Sequence, residues 1–314
     1  MDSQITIREL TAPNDIALFW EQLYAYFCRD IMPDPADEDL PYFLGSEYRA
    51  AMEGLHAREA DPLHYLFFER RGQQIGFASA VLYHSEDGKC LLPDFCVLPE
   101  FRGSGTGRSC AGALLDWGRS HGATYFELNV NTERRQRFWQ SAGFSPNGAD
   151  EWGMPLLLLP PEEKLPFTVE RLADPEDAAL GWQLHKLENG FLSEIGEDSL
   201  TNEKKSRLSS AIREGRIVFF LVRRGYRAVG MCSVAPCFST FTCETTGVFD
   251  DFFVEPAFRR QGAARLLTDA AQAWCREQGY ASLTVGCSAG DMGMYRALGF
   301  STELGTMLAW DAGK

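Results

Sequence analysis

The spacing of hydrophobic and polar residues changes repeatedly along this chain. Apolar residues alternate in short runs such as ITIREL, which is typical of strands, and recur at three- and four-residue spacing elsewhere, which is typical of helices. In the first half the pattern predicts strands at 5–10, 65–70, 74–84, 90–98, 125–130 and 154–159, with helices at 15–28, 47–59, 105–120 and 133–142.

The second half repeats this order of elements. A charged, proline-rich stretch at 160–166, PPEEKLP, predicts a linker between a first domain, 1–159, and a second, 167–314. Another such stretch, DIMPDPADEDLP at 30–41, predicts a loop. Strands mixed with helices and hairpins favour an α/β fold, with one mixed sheet per domain. The predicted strands are 167–172, 217–223, 228–235, 247–255, 280–286 and 306–310, and the helices 175–190, 200–214, 263–278 and 291–298.

The similarity between the halves extends to individual residues. DFCVLPEFRGSGTGR begins at Asp94 and DFFVEPAFRRQGAAR begins at Asp251, and matching positions are 157 residues apart, half of the 314-residue chain. Solenoid repeats have periods of roughly 20–50 residues, so a repeat of this length is a whole domain.

Each copy contains a glycine-bearing turn between a predicted strand and a predicted helix. Backbone N–H groups in the first turn of a helix have no intrahelical acceptor, and together with the helix dipole they favour an anion such as phosphate. Small residues matter there because side chains would hold the anion away from the backbone. A Walker loop is excluded because Gly-Lys-Ser/Thr is absent, and a dinucleotide fingerprint because Cys110 stands where its third glycine belongs.

Composition narrows the classes of partner. The net charge of −14 disfavours a nucleic-acid partner. The nine cysteines form no CxxC pair and the five histidines no HxxxH or HExxH spacing, so neither a disulfide framework nor a metal site is indicated. No apolar run approaches the ~18 residues of a membrane span, and the N-terminus lacks a signal-peptide pattern. We therefore expect a soluble, cytoplasmic protein with no membrane or metal partner.

Both halves resemble the GNAT superfamily of N-acetyltransferases. The resemblance rests on the Arg-x-x-Gly-x-Gly/Ala turn, on the preceding strand ending in Val-x-Pro-x-Phe-Arg, and on the later Gly-Phe pairs of YRALGF and WQSAGF. It implies two tandem GNAT-like domains, each with a mixed, mostly antiparallel, twisted sheet flanked by helices, and acetyl-CoA or another acyl-CoA as co-substrate. The residues it assigns to CoA binding are Phe252, Phe253, Val254, Arg259, Arg260, Gln261, Gly262, Ala263 and Ala264 in the second half, and Val97, Arg102, Gly103, Ser104, Gly105, Thr106 and Gly107 in the first.

The resemblance also implies roles in catalysis. Tyr295, four residues before Gly299, holds the position of the acid that protonates the leaving thiolate, whereas the first half has Trp139, whose indole N–H is not a usable acid. A backbone N–H near Phe253 or Val254 would stabilise the oxyanion. Asp250 is our candidate base, because the first half has a proline in its place.

Asp251 and Cys287 are interpreted as structural residues and not as catalytic ones. Asp251 has the counterpart Asp94, which suggests a shared and structural role, and strand alternation would point Asp250 and Asp251 to opposite faces. Cys287 follows a predicted strand near the reaction centre and is interpreted as a packed thiol.

These patterns lead to a ranked set of functions. The first is an acyl-CoA-dependent N-acyltransferase that acetylates a primary amine of a small cationic molecule or peptide in its second domain. The alternatives are a non-catalytic acyl-CoA-binding or sensing protein and an enzyme whose first domain is the active one. The acceptor, the acyl group and the oligomeric state do not follow from the sequence, nor does the number of CoA molecules bound.

Overall fold

The computed structural model describes residues 4–150, 153–161, 163–174 and 181–305. The chain divides into two compact units. The first comprises Met1–Asn147 and Met154–Glu163, and the second Gly148–Gly153 and Lys164–Lys314. The units are called the first and the second unit below.

A seven-stranded sheet forms the centre of the first part of the chain, in the order β1-β2-β3-β4-β5-β7-β6. Its neighbouring strands are antiparallel from β1 to β4, β4 and β5 are parallel, and β5 and β7 are antiparallel. The strands are β1 (Thr6–Glu9), β2 (Leu63–Arg70), β3 (Gln73–Tyr83), β4 (Lys89–Val97), β5 (Tyr125–Asn129), β6 (Ser145–Ala149) and β7 (Pro155–Leu159), and the helices are α1 (Pro13–Tyr26), α2 (Leu40–Phe43), α3 (Ser46–His56), α4 (Thr106–Ser120) and α5 (Glu133–Gln140).

The second unit has the same arrangement in five strands, ordered β12-β11-β10-β9-β8. The pairs are again antiparallel except for the last, β11 with β12, which is parallel. Its strands are β8 (Phe167–Arg171), β9 (Val218–Arg224), β10 (Arg227–Ser239), β11 (Glu244–Val254) and β12 (Leu283–Val285), and its helices are α6 (Gly181–Ile195), α7 (Asn202–Arg213), α8 (Ala263–Glu277) and α9 (Met292–Ala297). The predicted pair of mixed, mostly antiparallel sheets flanked by helices is therefore confirmed.

Helices cover both faces of the first sheet. Aromatic side chains of β2 and β3, such as Tyr65 and Phe77, pack against α1, whereas Phe68 and Ala78 pack with Leu114 of α4 on the opposite face. Because both faces are covered, β3 is buried along nearly its whole length instead of alternating. This layering holds β4 in the centre, where its end can carry the glycine-bearing turn.

Several predicted elements need correction. Residues 30–41, expected to form a loop, include the end of a π-helical segment, Phe27–Ile31, and the start of α2, where Pro41 is tolerated because the first turn of a helix leaves its N–H groups unpaired. Strand β6 has the sequence SPNGA, whose proline, asparagine and glycine give no strand signal. The predicted strand 306–310 and the first part of helix 175–190 lie outside the described residues.

Candidate active site

In each sheet the parallel pair of strands separates after three paired residues. β11 pairs with β12 from Gly247–Leu283 to Phe249–Val285, and β4 pairs with β5 from Lys89–Tyr125 to Leu91–Glu127. Beyond Phe249, β11 continues to pair with β10, while its register with β12 has ended. Backbone N–H and C=O groups on the other edge of β11 therefore border the gap between the separating strands, which is called the groove below, and can bind an extended ligand.

A β-bulge lies in β11 at the start of this groove. Asp251 and Phe252 together oppose Cys232 of β10, and Asp251 adopts φ 48°. Its N–H donates to Oδ1 of Asp250 at 3.0 Å. The bulge interrupts the period of two at Asp251 and Phe252, and the opposite orientation expected of Asp250 and Asp251 stays a prediction. Asp250 is exposed and Asp251 half-buried.

A serine holds the matching aspartate in each unit. The Ser233 hydroxyl donates to Asp251 at 2.6 Å, and the Ser79 hydroxyl donates to Asp94 at 2.7 Å. Burial raises the pKa of the Asp94 carboxyl to about 6, against the opposing effect of the Ser79 hydrogen bond. Burial also raises the pKa of Asp251, opposed by the Ser233 hydrogen bond and reinforced by Asp250. The shared Ser–Asp pair supports a structural role for this aspartate in both units.

The glycine that caps the helix has the same geometry in both units, although in the first turn Ser104 adopts φ 48° and the Thr106 N–H donates to the Gly103 carbonyl at 3.0 Å. Gly105 and Gly262 are the N-cap residues of α4 and α8, with φ 82° and 99°, and a Cβ on either would meet no atom within 4 Å. In α8 the first i→i−4 bond runs from Leu266 N–H to Gly262 C=O, so the preceding amides lie at the free helix start. The open space and the amides fit a phosphate group.

The first arginine of each turn contacts protein groups. Nε of Arg102 and of Arg259 donates at 2.8 Å to the carbonyl of Val97 and of Val254, respectively. Arg102 also forms a salt bridge with Asp30 at 2.6 Å, and Arg259 forms one with Glu194. These contacts give both side chains a role in fixing the turn onto the end of its strand.

The remaining assigned residues take their places around the two turns. The Gln261 side chain accepts from Arg224 at 2.8 Å and donates to the Ala257 carbonyl at 3.0 Å, which braces the second turn. Gly107 lies beside the Phe138 ring, 3.3 Å from where its Cβ would be. Phe253, Val254, Ala263, Val97 and Thr106 are buried, Phe252 and Ala264 are half-buried, and Arg260, Gly103 and Ser104 are exposed.

Tyr295 lies on α9 between two aromatic rings. Its ring centroid is 6.0 Å from that of Phe252 and 5.9 Å from that of Phe300. Burial, followed by the charges of Asp291, Cys287 and Asp250, raises the pKa of the phenol to about 12. The phenol therefore keeps its proton at neutral pH. Cys287 is exposed, so its interpretation as a packed thiol is wrong.

The corresponding position in the first unit is part of the core. Trp139 is 6% exposed, and its ring centroid is 5.0 Å from that of Phe95 and 5.1 Å from that of Phe144. The same three-ring arrangement thus carries an indole here and a phenol in the second unit. Pro93, the counterpart of Asp250, is exposed and brings no charge.

Sequence reasoning missed one charged residue, Glu188 of α6. It is 6% exposed, and its Oε1 atom has no hydrogen-bond partner among the described residues. Burial, then Asp251 and Asp250, raises its pKa to about 8. The spacing of hydrophobic residues in α6 indicates that this position is buried, since Glu188 follows the core residue Leu184 by four positions and so shares its buried helix face.

Comparison with known protein families decides the classification. The model of the Acetyltransferase (GNAT) family matches twice, at residues 20–144 and 182–300. The chain belongs to the GNAT family. It is a tandem GNAT N-acetyltransferase with one match in each unit, and the two units are called the first and the second domain below.

Similarities to individual proteins are more distant, and no curated protein matches the chain. Solved structures of GNAT proteins align with about half of the chain. An aminoglycoside acetyltransferase from an uncultured soil metagenomic sample is 18% identical, with a TM-score of 0.42, and the match covers 47% of this chain and 97% of that one. Glucosamine-6-phosphate N-acetyltransferase from Arabidopsis thaliana is 17% identical, with a TM-score of 0.37 and coverages of 46% and 98%. An N-acetyltransferase from Thermoplasma acidophilum in complex with coenzyme A is 15% identical, with a TM-score of 0.40 and coverages of 50% and 99%.

Within residues 4–150, 153–161, 163–174 and 181–305, none of the helices combines the length and the apolar character that crossing a membrane requires.

Proposed function

We propose that the second GNAT domain transfers an acetyl group from acetyl-CoA to a primary amine of a small cationic molecule or peptide. The observation that carries this proposal is the difference between the domains. The groove of the second domain has the Tyr295 phenol and the exposed Asp250 carboxylate near it, where the first domain has Trp139 and Pro93. The first domain then binds CoA or supports the structure.

The glycine-bearing turns are the proposed pyrophosphate sites. At α8, the amides of Gly262, Ala263 and Ala264 would donate to phosphate oxygens, and the exposed Arg260 side chain would add positive charge. Arg259 would act through its contacts with Val254 and Glu194, which hold the turn in place. The equivalent turn of the first domain, from Arg102 to Gly107, is the candidate for a second molecule of CoA.

The groove edge of β11 is the proposed site for the reacting thioester. Amides near Phe253 and Val254 lie beyond the last residue paired with β12, so one of them can donate to the thioester oxygen. A preorganised donor of this kind is worth about 3 kcal/mol to the transition state. Tyr295 would donate a hydrogen bond to the sulfur as negative charge develops there, since its proton is held firmly at neutral pH.

The acceptor amine must lose a proton before it attacks. An alkyl ammonium with a pKa near 10.4 is deprotonated in only about one molecule in 2,500 at pH 7, which costs about 4.6 kcal/mol. We assign Asp250 as the group that receives the ammonium and removes its proton, directly or through water. Its exposure and the net charge of −14 both favour a cationic acceptor.

A transfer screen tests this function. Acetyl-CoA is incubated with amines, aminoglycosides, amino acids and peptides, and free thiol is measured as CoA is released. We expect Tyr295→Phe to lower kcat by roughly 10²–10⁴-fold, the scale of a lost general acid, with little change in CoA affinity. Trp139→Phe is the matched control and should turn over like the wild type. If Trp139→Phe is inactive and Tyr295→Phe is not, the active site belongs to the first domain.

A further inference from the structure

A buried carboxylate of the second domain has no role in the proposed reaction so far. Glu188 is 6% exposed, and Oε1 lacks a hydrogen-bond partner within the described part of the chain. Buried charged groups are normally paired, because an unpaired buried charge costs several kcal/mol. Such a group in a native structure is a candidate for function.

The position of Glu188 relates it to the groove. Helix α6 packs on β11, since a Cβ on Gly190 would lie 3.1 Å from the Phe253 ring, and Leu184 and Leu187 share one core with that ring. Glu188 lies on the buried side of α6 and is acted on by Asp251, in the bulge, and by Asp250, at the start of the groove. Burial thus increases from the exposed Asp250 through the half-buried Asp251 to the buried Glu188.

The charged groups that act on the pKa of Glu188 are both acidic among the described residues. Asp251 and Asp250 are the charged groups of β11 that act on it. From β10, Ser233 contributes a hydroxyl that is committed to Asp251, whereas the Cys232 thiol donates to the Leu267 carbonyl of α8 at 3.8 Å. Lys186, on the same helix, pairs instead with Glu255 at 3.4 Å. Burial and like charge both increase the affinity of a carboxylate for a proton.

We propose that Glu188 takes up the proton that Asp250 removes from the acceptor ammonium, so that the two carboxylates form a proton relay. This inference rests on the proposed function of the second domain. The ammonium gives one proton to Asp250, which passes it to Glu188 and is regenerated, and Glu188 releases it to solvent between turnovers. The free amine forms the C–N bond, the C–S bond breaks, and the second nitrogen proton replaces the one that Tyr295 gives to the thiolate.

The relay makes the reaction depend on the ionisation of Glu188. The pKa of about 8 places this ionisation within the range of an activity assay. The wild-type kcat/KM should therefore rise with pH and level off above about pH 8. Glu188→Gln keeps the shape of the side chain but cannot accept a proton, so it should lower kcat by about 10²-fold or more and remove this rise. Asp251→Asn removes a neighbouring charge and should move the rise to lower pH.

Thermal unfolding provides a readout that needs no acceptor. The folded state binds the Glu188 proton more tightly than the unfolded chain, whose reference pKa is 4.5. The stabilising effect is complete below pH 4.5 and is lost as the pH rises towards 8. The Tm of Glu188→Gln relative to the wild type should therefore increase between about pH 5 and about pH 9. Glu277→Gln, an exposed control at the end of α8, should follow the wild type.

The outcomes separate this inference from the function on which it rests. If the wild type transfers acetyl groups but Glu188→Gln keeps both its rate and its pH profile, the relay is refuted while the proposed function stands. A Tm difference that does not change with pH also refutes the relay. If the wild type transfers to no amine, the proposed function fails and the relay fails with it.

Discussion

Asp94 allows the effect of burial on the pKa of a carboxyl group to be tested at a residue with no proposed role in catalysis. It is 5% exposed, and burial raises its pKa from 3.8 to about 6. At 1.36 kcal/mol per pKa unit, ionisation at neutral pH costs the folded state about 3 kcal/mol. Asp94→Asn removes this cost but buries an NH₂ group, which offsets about 1–2 kcal/mol. We expect a net stabilisation of about 1–2 kcal/mol at pH 7.

The sign of the pH dependence follows from the direction of the shift. A raised pKa means that the folded state holds the proton more tightly, so this contribution to stability is complete below pH 3.8 and is lost as the pH rises through 6. The advantage of the asparagine variant should therefore grow by about 2 kcal/mol between about pH 4.5 and about pH 7.5.

Hydrogen exchange of peptides from β3 and β4, followed by mass spectrometry, measures this domain separately from the second. That separation is needed because two domains do not share one free energy of unfolding. Asp116→Asn is the control, since the Asp116 side chain is 79% exposed and pairs at the surface with Arg119. If the difference between Asp94→Asn and the wild type is the same at both pH values, Asp94 is ionised in the fold and our account of its burial is wrong.

Two further predictions concern CoA and the acceptor. Calorimetric titration with CoA should show up to two sites, and Gly105→Asp and Gly262→Asp should each remove one of them. The control variant Gly262→Asn has the same backbone strain without the charge and should bind CoA more tightly than Gly262→Asp. Unchanged binding in both aspartate variants would contradict the assignment of the turns. Asp250→Asn should raise the KM of the amine at low ionic strength and flatten the rise of kcat/KM with pH. Asp251→Asn should keep most of its turnover and alter the stability of the second domain. An unchanged pH profile for Asp250→Asn would mean that another group deprotonates the acceptor.

The fold was predictable because its signals are local and occur twice. Alternation in the strands and the glycine before α4 and α8 depend on nearby residues, and the family resemblance extends them to a tandem arrangement. Strand β6 was missed because Pro146 and Gly148 disfavour a strand and only its neighbours in the sheet stabilise it.

The candidate site was only partly predictable, because its charges depend on contacts between distant segments. Glu188 is 63 residues from Asp251 in the sequence, so its coupling to that carboxylate arises only when α6 packs on β11. The pairing of Arg102 with Asp30 spans 72 residues, so it could not be predicted from the sequence either. Spacing identified the chemical groups, whereas their protonation states followed from tertiary burial.

The bulges of the central strands show how the two halves have diverged. In β11 the extra residue falls at Asp251 and Phe252, whereas in β4 it falls at Leu92 and Pro93, just before Asp94. The copies therefore differ in backbone register as well as in side chains. Placing a tyrosine at Trp139 would not make the first domain a duplicate active site, because the strand would still present Asp94 to the core. Exchanging parts between the copies requires moving the whole β3–β4 or β10–β11 hairpin, and this makes the hairpin the natural unit for engineering the protein.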